Sequence, residues 1–196
     1  MLKMVEKFPL SSFGFQSKQS VQLMIEAERR AYADRAAHLG DPDFWKVPQS
    51  TLLSDAYIAE RMKDYDATKA SASKDVQAGT VHESEETTHI SIMDEDGNMV
   101  AVTTTLNDSY GSKTVVGGAG FILNDEMDDF SIKPGVPNMY GAIGGEANAI
   151  APGKRMLSSM TPTLVLKNNK PFIVVGTPGG TTIPTSVFQS IINVID

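Results

Sequence analysis

Thr87-Thr88-His89-Ile90-Ser91-Ile92-Met93, then Asp94-Glu95-Asp96-Gly97-Asn98, then Met99-Val100-Ala101-Val102-Thr103-Thr104-Thr105, read in succession as strand, turn and strand. Thr88, Ile90 and Ile92 alternate with Thr87, His89 and Ser91, the period-two pattern of a half-buried strand. The Asp96-Gly97 pair between the runs is the strongest short-range hairpin signal, since the favoured turn needs residues that tolerate positive φ. An antiparallel pair is therefore predicted here, and the rest of the chain is read outward from it.

Upstream the grammar changes. Residues 1–86 hold 3 glycines and residues 87–196 hold 13; few glycines favour helix, many favour turns and close backbone approaches. Val21, Met24, Ile25, Glu28, Tyr32, Ala36 and Leu39 recur at helical spacing with Glu28 the one polar break, Ser20 a candidate N-cap, and Gly40 with Pro42 a stop. Residues 54–66 repeat the pattern, with Ser54 as cap and Ile58, Met62 and Tyr65 on one face. Residues 67–86 are polar and small and read as a mobile, solvated linker. Downstream, Phe121–Leu123 is a strand candidate, and Thr163–Lys167 with Pro171–Val175 form a second hairpin around Asn168-Asn169. Thr181–Ile195 reads as a helix capped by Thr181 or Thr182, with Pro184 in its first turn and Val187, Ile191 and Val194 on one face. No internal repeat is visible. Helices, linker, antiparallel strands and a final helix predict an α+β layered sandwich.

Composition excludes several chemistries. The 196 residues suit one domain with a real core. The net charge of −7 divides as 11 Lys/Arg against 14 Asp/Glu in residues 1–86 and 6 against 10 in 87–196, which argues against a broad nucleic-acid surface. With no cysteine, disulfides, thiolate catalysis and cysteine-based metal sites are excluded, and His38, His82 and His89 are too few for a His-rich metal site. No apolar run approaches the ~18 residues of a membrane span. The N-terminus, interrupted by Glu6 and Pro9, does not read as a signal peptide.

Reactive residues gather at five places. A cut between Glu86 and Thr87 would give Thr87 a free α-amine, of ordinary pKa near ~8, beside its own hydroxyl, and that amine can act as general base for Oγ; the plainer reading is β-propensity at a strand start. A threonine closing the paired strand, within Thr103-Thr104-Thr105, can hydrogen-bond that hydroxyl, and Asn107 can donate to a polar substrate, or the run is an ordinary Thr-rich strand ending in an Asn turn. Asp125, Glu126, Asp128 and Asp129 suit a divalent cation or an ammonium group, or form a solvated acidic loop; their spacing is not an EF-hand. Ser158 and Ser159 can grip a carboxylate, or simply turn the chain before Pro162; no Gly-x-Ser-x-Gly elbow is present. Gly176-Thr177-Pro178-Gly179-Gly180 offers backbone N–H groups to a phosphate, a carboxylate or an acyl-transfer oxyanion, or is a packing turn; there is no Walker lysine. His89 shares the strand face of Thr87, His38 and His82 read as solvated, and Trp45 as packing a loop.

Tyr32-Ala33-Asp34-Arg35, Leu39-Gly40-Asp41-Pro42-Asp43-Phe44, Thr87-Thr88-His89, Asp94…Gly97-Asn98, Asn124…Met127-Asp128-Asp129-Phe130-Ser131, Lys133-Pro134-Gly135-Val136-Pro137-Asn138, Lys154-Arg155, Leu157-Ser158-Ser159-Met160 and Pro178-Gly179-Gly180 together resemble, in order and over nearly the whole chain, the γ-glutamyltranspeptidases, also called glutathione hydrolases. The resemblance implies an N-terminal nucleophile (Ntn) hydrolase of αββα architecture that cuts itself between Glu86 and Thr87. Residues 1–86 then resemble the C-terminal part of the large subunit, and residues 87–196 the N-terminal part of the small, catalytic one. It implies Thr87 as nucleophile with its own amine as base, and Thr105 as hydrogen-bond partner of that nucleophile. Asn107, Glu126 and Asp129 are implied to hold the α-amino group of a γ-glutamyl donor, with Ser158 and Ser159 near its α-carboxylate. Gly179 and Gly180 are implied as the oxyanion hole, and Tyr140 as the tyrosine of a lid loop.

No metal or organic cofactor is implied. The implied partners are γ-glutamyl compounds such as glutathione, water or an amino acid or peptide as acceptor, and the remainder of both subunits, with no nucleic acid. Bacterial members are mostly periplasmic or secreted, which sets the expected compartment. Because family members are longer, residues 1–196 are expected to be a segment across the subunit junction, without the family's upstream carboxylate-binding arginine, and inactive or barely active alone. Two other readings stand beside this one. One is a related acylase of glutaryl-type amides, which would not call for the pair Glu126 and Asp129. The other is a non-catalytic binding module.

Overall fold

Helices occupy the glycine-poor segment: α1 (Leu2–Val5), α2 (Leu10–Phe13), α3 (Lys18–His38), α4 (Gln49–Leu52) and α5 (Asp55–Met62). The computed structural model describes residues 1–72 and 87–195, so Glu86, His82 and most of the predicted linker lie outside the described residues. Helix α3 starts earlier than its hydrophobic pattern suggests. Ser17, not Ser20, is the N-cap, its side chain accepting from the Ser20 N–H at 3.2 Å. Val21 and Ile25 are exposed, and the face turned to the core carries Leu23, Met24 and Ala27 instead. Ser54 caps α5 as expected, accepting from the Tyr57 N–H at 3.2 Å, but the helix ends at Met62. Ile58 is buried, with Met62 and Tyr65 packed against the same core.

A buried ion pair locks this segment. Glu26 and Arg30 have side chains 2% and 3% exposed and are bonded one turn apart on α3. Ser71 donates to the Glu26 carboxylate through its N–H at 2.9 Å and its hydroxyl at 2.6 Å, so the predicted linker, exposed at residues 67–70 and 72, is anchored at Ser71. Burial opposes ionisation of Glu26, but the bonds from Ser71 and Arg30 prevail and hold its pKa below the ordinary value. The stability this adds is present at neutral pH and lost as acid protonates the group. Glu26→Ala removes the buried partner of Arg30, which keeps Asp64 at 2.8 Å and the Arg61 carbonyl at 2.7 Å, and is expected to cost about 1–3 kcal/mol, read as a lowered urea midpoint.

The glycine-rich segment supplies β1 (Thr87–Met93), β2 (Met99–Thr105), β3 (Thr163–Lys167), β4 (Lys170–Val175) and α6 (Ile183–Ile195). β1 pairs antiparallel with β2, and β3 with β4. Asn168 and Asn169 sit at φ of 54° and 59°, as a tight turn between β3 and β4 requires. Phe121–Leu123 is not a strand. It lies in a short irregular hairpin instead: Val115 bridges Ile122, and the Val116 and Leu123 N–H groups donate to the Phe121 and Thr114 carbonyls at 2.9 Å each, around a turn in which Gly118 and Gly120 take positive φ. Thr181 and Thr182 do not cap α6; with Gly180 they form a 3-10 turn that leads into it.

Helix α6 is apolar around most of its circumference and is covered on two sides, as such a helix must be. Phe188 and Ile192 pack with Met4, Val5, Leu10, Leu23, Met24, Ala27 and Ile58 of the helical segment. Ile183, Val187 and Ile191 pack against Met160, Val165 and Val175. Val194, predicted on the inner face, is exposed near the helix end. The hairpins also lie side by side. A Cβ on Gly176 would come 2.1 Å from the His89 ring, and one on Gly97 would come 3.2 Å from Pro171. The architecture is α+β.

Candidate active site

The turn Asp94–Asn98 fixes the register of the first hairpin. Asp94 accepts from the Asn98 N–H at 2.8 Å, and Met93 stands opposite Met99. Counting back along both strands sets Thr88 against Thr104 and Thr87 against Thr105. A one-residue slip would turn every side chain to the other face, so this short turn decides what faces Thr87. His89, on the same face, is held on both sides: Nδ1 lies 2.8 Å from Thr103 Oγ1 and Nε2 lies 2.9 Å from Ser91 Oγ. Its ring rests on the backbone of Gly176. Gly176→Ala would drive a methyl into a ring with no free direction to move, and is expected to destabilise by about 1–3 kcal/mol in thermal or urea unfolding.

Beyond β2 the chain reverses at Asn107, which is buried with φ of 77°. Its N–H donates to Thr105 Oγ1 at 2.9 Å and its carboxamide donates to the Asp125 carbonyl at 3.3 Å. Those contacts bring the acidic loop to the end of β2, and the loop sorts its own carboxylates. Asp125 accepts from the Asp108 N–H at 2.9 Å, and Asp128 from the Met139 N–H at 3.0 Å. Glu126 and Asp129, at the two ends of a 3-10 turn, are left to face each other. Burial, then the charge of Asp129, push Glu126 up to about 7. Burial pushes Asp129 up to about 6 against the nearby Arg35 guanidinium, and the two carboxyls share a hydrogen bond. Among the described residues no group of three or more His, Asp or Glu side chains is arranged to hold a metal ion, so the cation reading of this loop finds no ligand set.

These elements enclose a solvent-open cleft of about 360 Å³. It is lined by Thr87, Thr105, Asn107, Asp129, Tyr140, Ser158, Ser159 and Gly180, with Met160, Thr181 and Ile183. Glu126 does not line it and reaches it through Asp129. Gly179 adjoins the lining residue Gly180 without lining the cleft itself: its carbonyl accepts the Thr182 N–H at 3.0 Å, and φ of 138° suits glycine alone. Ser158 Oγ accepts the Met160 N–H at 3.1 Å, shaping the seryl turn.

The sequence reading missed the residues that join the two halves of the chain here. Arg35 donates to Ser159 Oγ at 3.0 Å, Tyr32 donates to the Thr181 carbonyl, and Gln189 donates to Glu28 at 2.9 Å. Glu28 and Tyr32 belong to the stripe read as a core face, whereas Arg35 lies outside it; Tyr32 and Arg35 tie α3 to residues of the cleft wall, and Glu28 ties it to α6. Asp41, with its side chain 1% exposed, holds Arg155 three residues before Ser158.

The family described as γ-glutamyltranspeptidase matches residues 1–196. The chain is similar to the glutathione hydrolase proenzyme of Escherichia coli (strain K12), with 50% identity over 198 residues that take in 100% of this chain and 34% of that protein. It spans about a third of the length of the curated relatives it matches. Among solved structures, a mutant of Helicobacter pylori γ-glutamyltranspeptidase aligns with a TM-score of 0.54 and 65% identity over 56% of this chain and 59% of that one. Cephalosporin acylase from Bacillus halodurans aligns with a TM-score of 0.77 and 26% identity over 100% of this chain and 32% of that one.

Proposed function

This chain belongs to the γ-glutamyltranspeptidase family, and we propose that it carries the catalytic junction of a precursor that cuts itself between Glu86 and Thr87 and then transfers or hydrolyses γ-glutamyl groups. One observation carries the reading: Thr87 lines a single cleft with Thr105, Asp129, Ser159 and Gly180, a set that joins a nucleophile to groups for an ammonium, a carboxylate and an oxyanion. In this reading residues 1–86 end the large subunit and residues 87–196 begin the small one, the whole forming part of an αββα sandwich. Ile90, Ile92, Val100 and Val102 leave the outer face of the first hairpin apolar and exposed, which supports cover by the remainder of the subunits. A periplasmic or secreted location is part of the same proposal.

The chemistry follows from the groups present. Cleavage frees the Thr87 amine, which takes the proton from its own Oγ as that oxygen attacks the γ-carbonyl. Negative charge gathers on the former carbonyl oxygen, where N–H groups of Gly179 and Gly180, at the mouth of the turn into α6, stabilise it. The proton passes to the departing amine, leaving a γ-glutamyl ester on Thr87. Water or an amino group then attacks that ester, giving hydrolysis or transpeptidation. Asp129, Glu126 and Asn107 receive the donor's ammonium, and Ser158 and Ser159 its carboxylate.

The alignment with a cephalosporin acylase favours one second reading, an acylase of glutaryl-type amides. γ-Glutamyl-p-nitroanilide and glutaryl-p-nitroanilide differ only in the ammonium group, so their relative kcat/KM with the full-length mature protein separates the two. Preference for the γ-glutamyl compound is expected; preference for the glutaryl compound would transfer the reading to the acylase.

A further inference from the structure

The ammonium side and the carboxylate side of the cleft come from loops far apart in sequence, and besides Arg35, which reaches them from α3, a buried carboxamide ties their backbones together. Asn148, 5% exposed, lies at the end of a 3-10 turn, Glu146–Asn148. Its Nδ2 donates to the carbonyl of Asp129 at 2.7 Å. Its Oδ1 accepts from the N–H of Leu157, the residue before Ser158, at 3.0 Å. A carbonyl can only accept and an N–H can only donate, so the two partners fix which way the carboxamide faces. The Asn148 carbonyl adds a third tie, accepting from the Ser131 N–H at 2.9 Å.

A substrate that carries its ammonium and carboxylate on one carbon presents them at a fixed separation. A site that reads both must hold its two sides to within about 0.5 Å of that separation. Asn148 does not itself line the cleft, yet it bonds the backbone of Asp129, which does, and the backbone that leads into Ser158. We propose that Asn148 is a positioning residue that sets the spacing between the ammonium-holding and carboxylate-holding loops, and so sets the preference for α-amino acid donors. The proposal rests on the γ-glutamyl reading above.

The test uses the full-length mature enzyme. Asn148→Ala is expected to raise KM for γ-glutamyl-p-nitroanilide by about tenfold or more with kcat within about threefold, since ground-state and transition-state binding both need the spacing. Its preference over glutaryl-p-nitroanilide should fall by a similar factor, because that substrate uses only the carboxylate side. Asn148→Asp keeps the acceptor for Leu157 but loses the donor to Asp129, and is expected to raise KM likewise. Unchanged KM in either variant, or equal losses on both substrates, would overturn the proposal. Hydrogen exchange of the Leu157 amide in the unaltered enzyme needs neither variant nor substrate: strong protection is expected, and fast exchange would overturn the clamp even if both variants fail to mature. Protection at Leu157 combined with a wild-type preference for the glutaryl compound would instead remove the γ-glutamyl reading, and with it the specificity role, while leaving the clamp in place.

Discussion

Thr87→Ala in the full-length precursor is expected to leave the chain uncut and to lower turnover of γ-glutamyl-p-nitroanilide by about 10⁴-fold or more, the scale on which loss of a nucleophile is felt. Both effects have one cause. In the proposed mechanism the hydroxyl belongs to the residue directly after Glu86 in sequence and attacks that peptide bond, and after cleavage it is the oxygen that carries the acyl group. Thr87→Ser retains the amine and the hydroxyl and loses only the methyl that restricts χ1, so it should be cut and turn over more slowly rather than not at all. Mass spectrometry of the purified chain reads the first effect and steady-state kinetics the second. An alanine variant that still splits between Glu86 and Thr87, or that keeps wild-type turnover, would remove Thr87 from the mechanism. The amine adds a pH signature. With an ordinary pKa near ~8 it must be neutral to accept a proton, so kcat should rise with pH towards that range.

Asp129→Asn should act on binding. The carboxylate that faces the cleft is replaced by a neutral group that cannot balance an ammonium, and KM for a γ-glutamyl donor is expected to rise by about 10²-fold, or roughly 2–4 kcal/mol. Glutaryl-p-nitroanilide, which has no ammonium, should be nearly indifferent. The coupled pair also predicts a pH profile for KM. Asp129 titrates at about 6 and Glu126 at about 7, both pushed up mainly by burial, so donor affinity should strengthen as pH rises through that window and the pair ionises. Folding stability runs the other way. Both pKa values are raised in the folded state, so the folded chain holds protons that the unfolded chain has already released. The pair's contribution is fully present below the ordinary carboxylate range and is lost as pH rises through about 6 and 7. Asp129→Asn removes the repulsion, so urea resistance at neutral pH should hold or increase while KM worsens. A variant that loses stability and leaves KM unchanged would assign Asp129 to the scaffold instead.

The groups proposed to act in the cleft differ in how visible they were in the sequence. Asp96-Gly97 was legible because a tight turn is a property of a few adjacent residues, and once it forms, counting along the strands sets Thr87 opposite Thr105. Ser54 and the Asn168-Asn169 turn were legible for the same reason. The face of α3 was not. Val21 and Ile25 fit the apolar period as well as Leu23 and Ala27 do, and which set is buried depends on where α6 comes to rest, a contact more than 150 residues away in sequence. Phe121–Leu123 has strand-like residues and turns back on residues 112–116, but the glycines between leave the pairing at a single bridge rather than a regular strand.

By itself the sequence determined the α+β order of elements and the first hairpin, and its resemblance to one family named the residues expected at the cleft, of which Glu126 and Gly179 do not line it. The resemblance also singled out Glu126 and Asp129 among four neighbouring carboxylates, but only the tertiary structure showed how the other two are occupied. Asp125 and Asp128 are taken by backbone N–H groups, whereas Glu126 and Asp129 are left with each other. It alone also brought in Arg35 and Asn148, whose partners at Ser159, Asp129 and Leu157 are supplied by distant loops. The physical reason is range: turns and strand periods are written in adjacent residues, while a buried polar group is worth its place only where the folded chain delivers its partners.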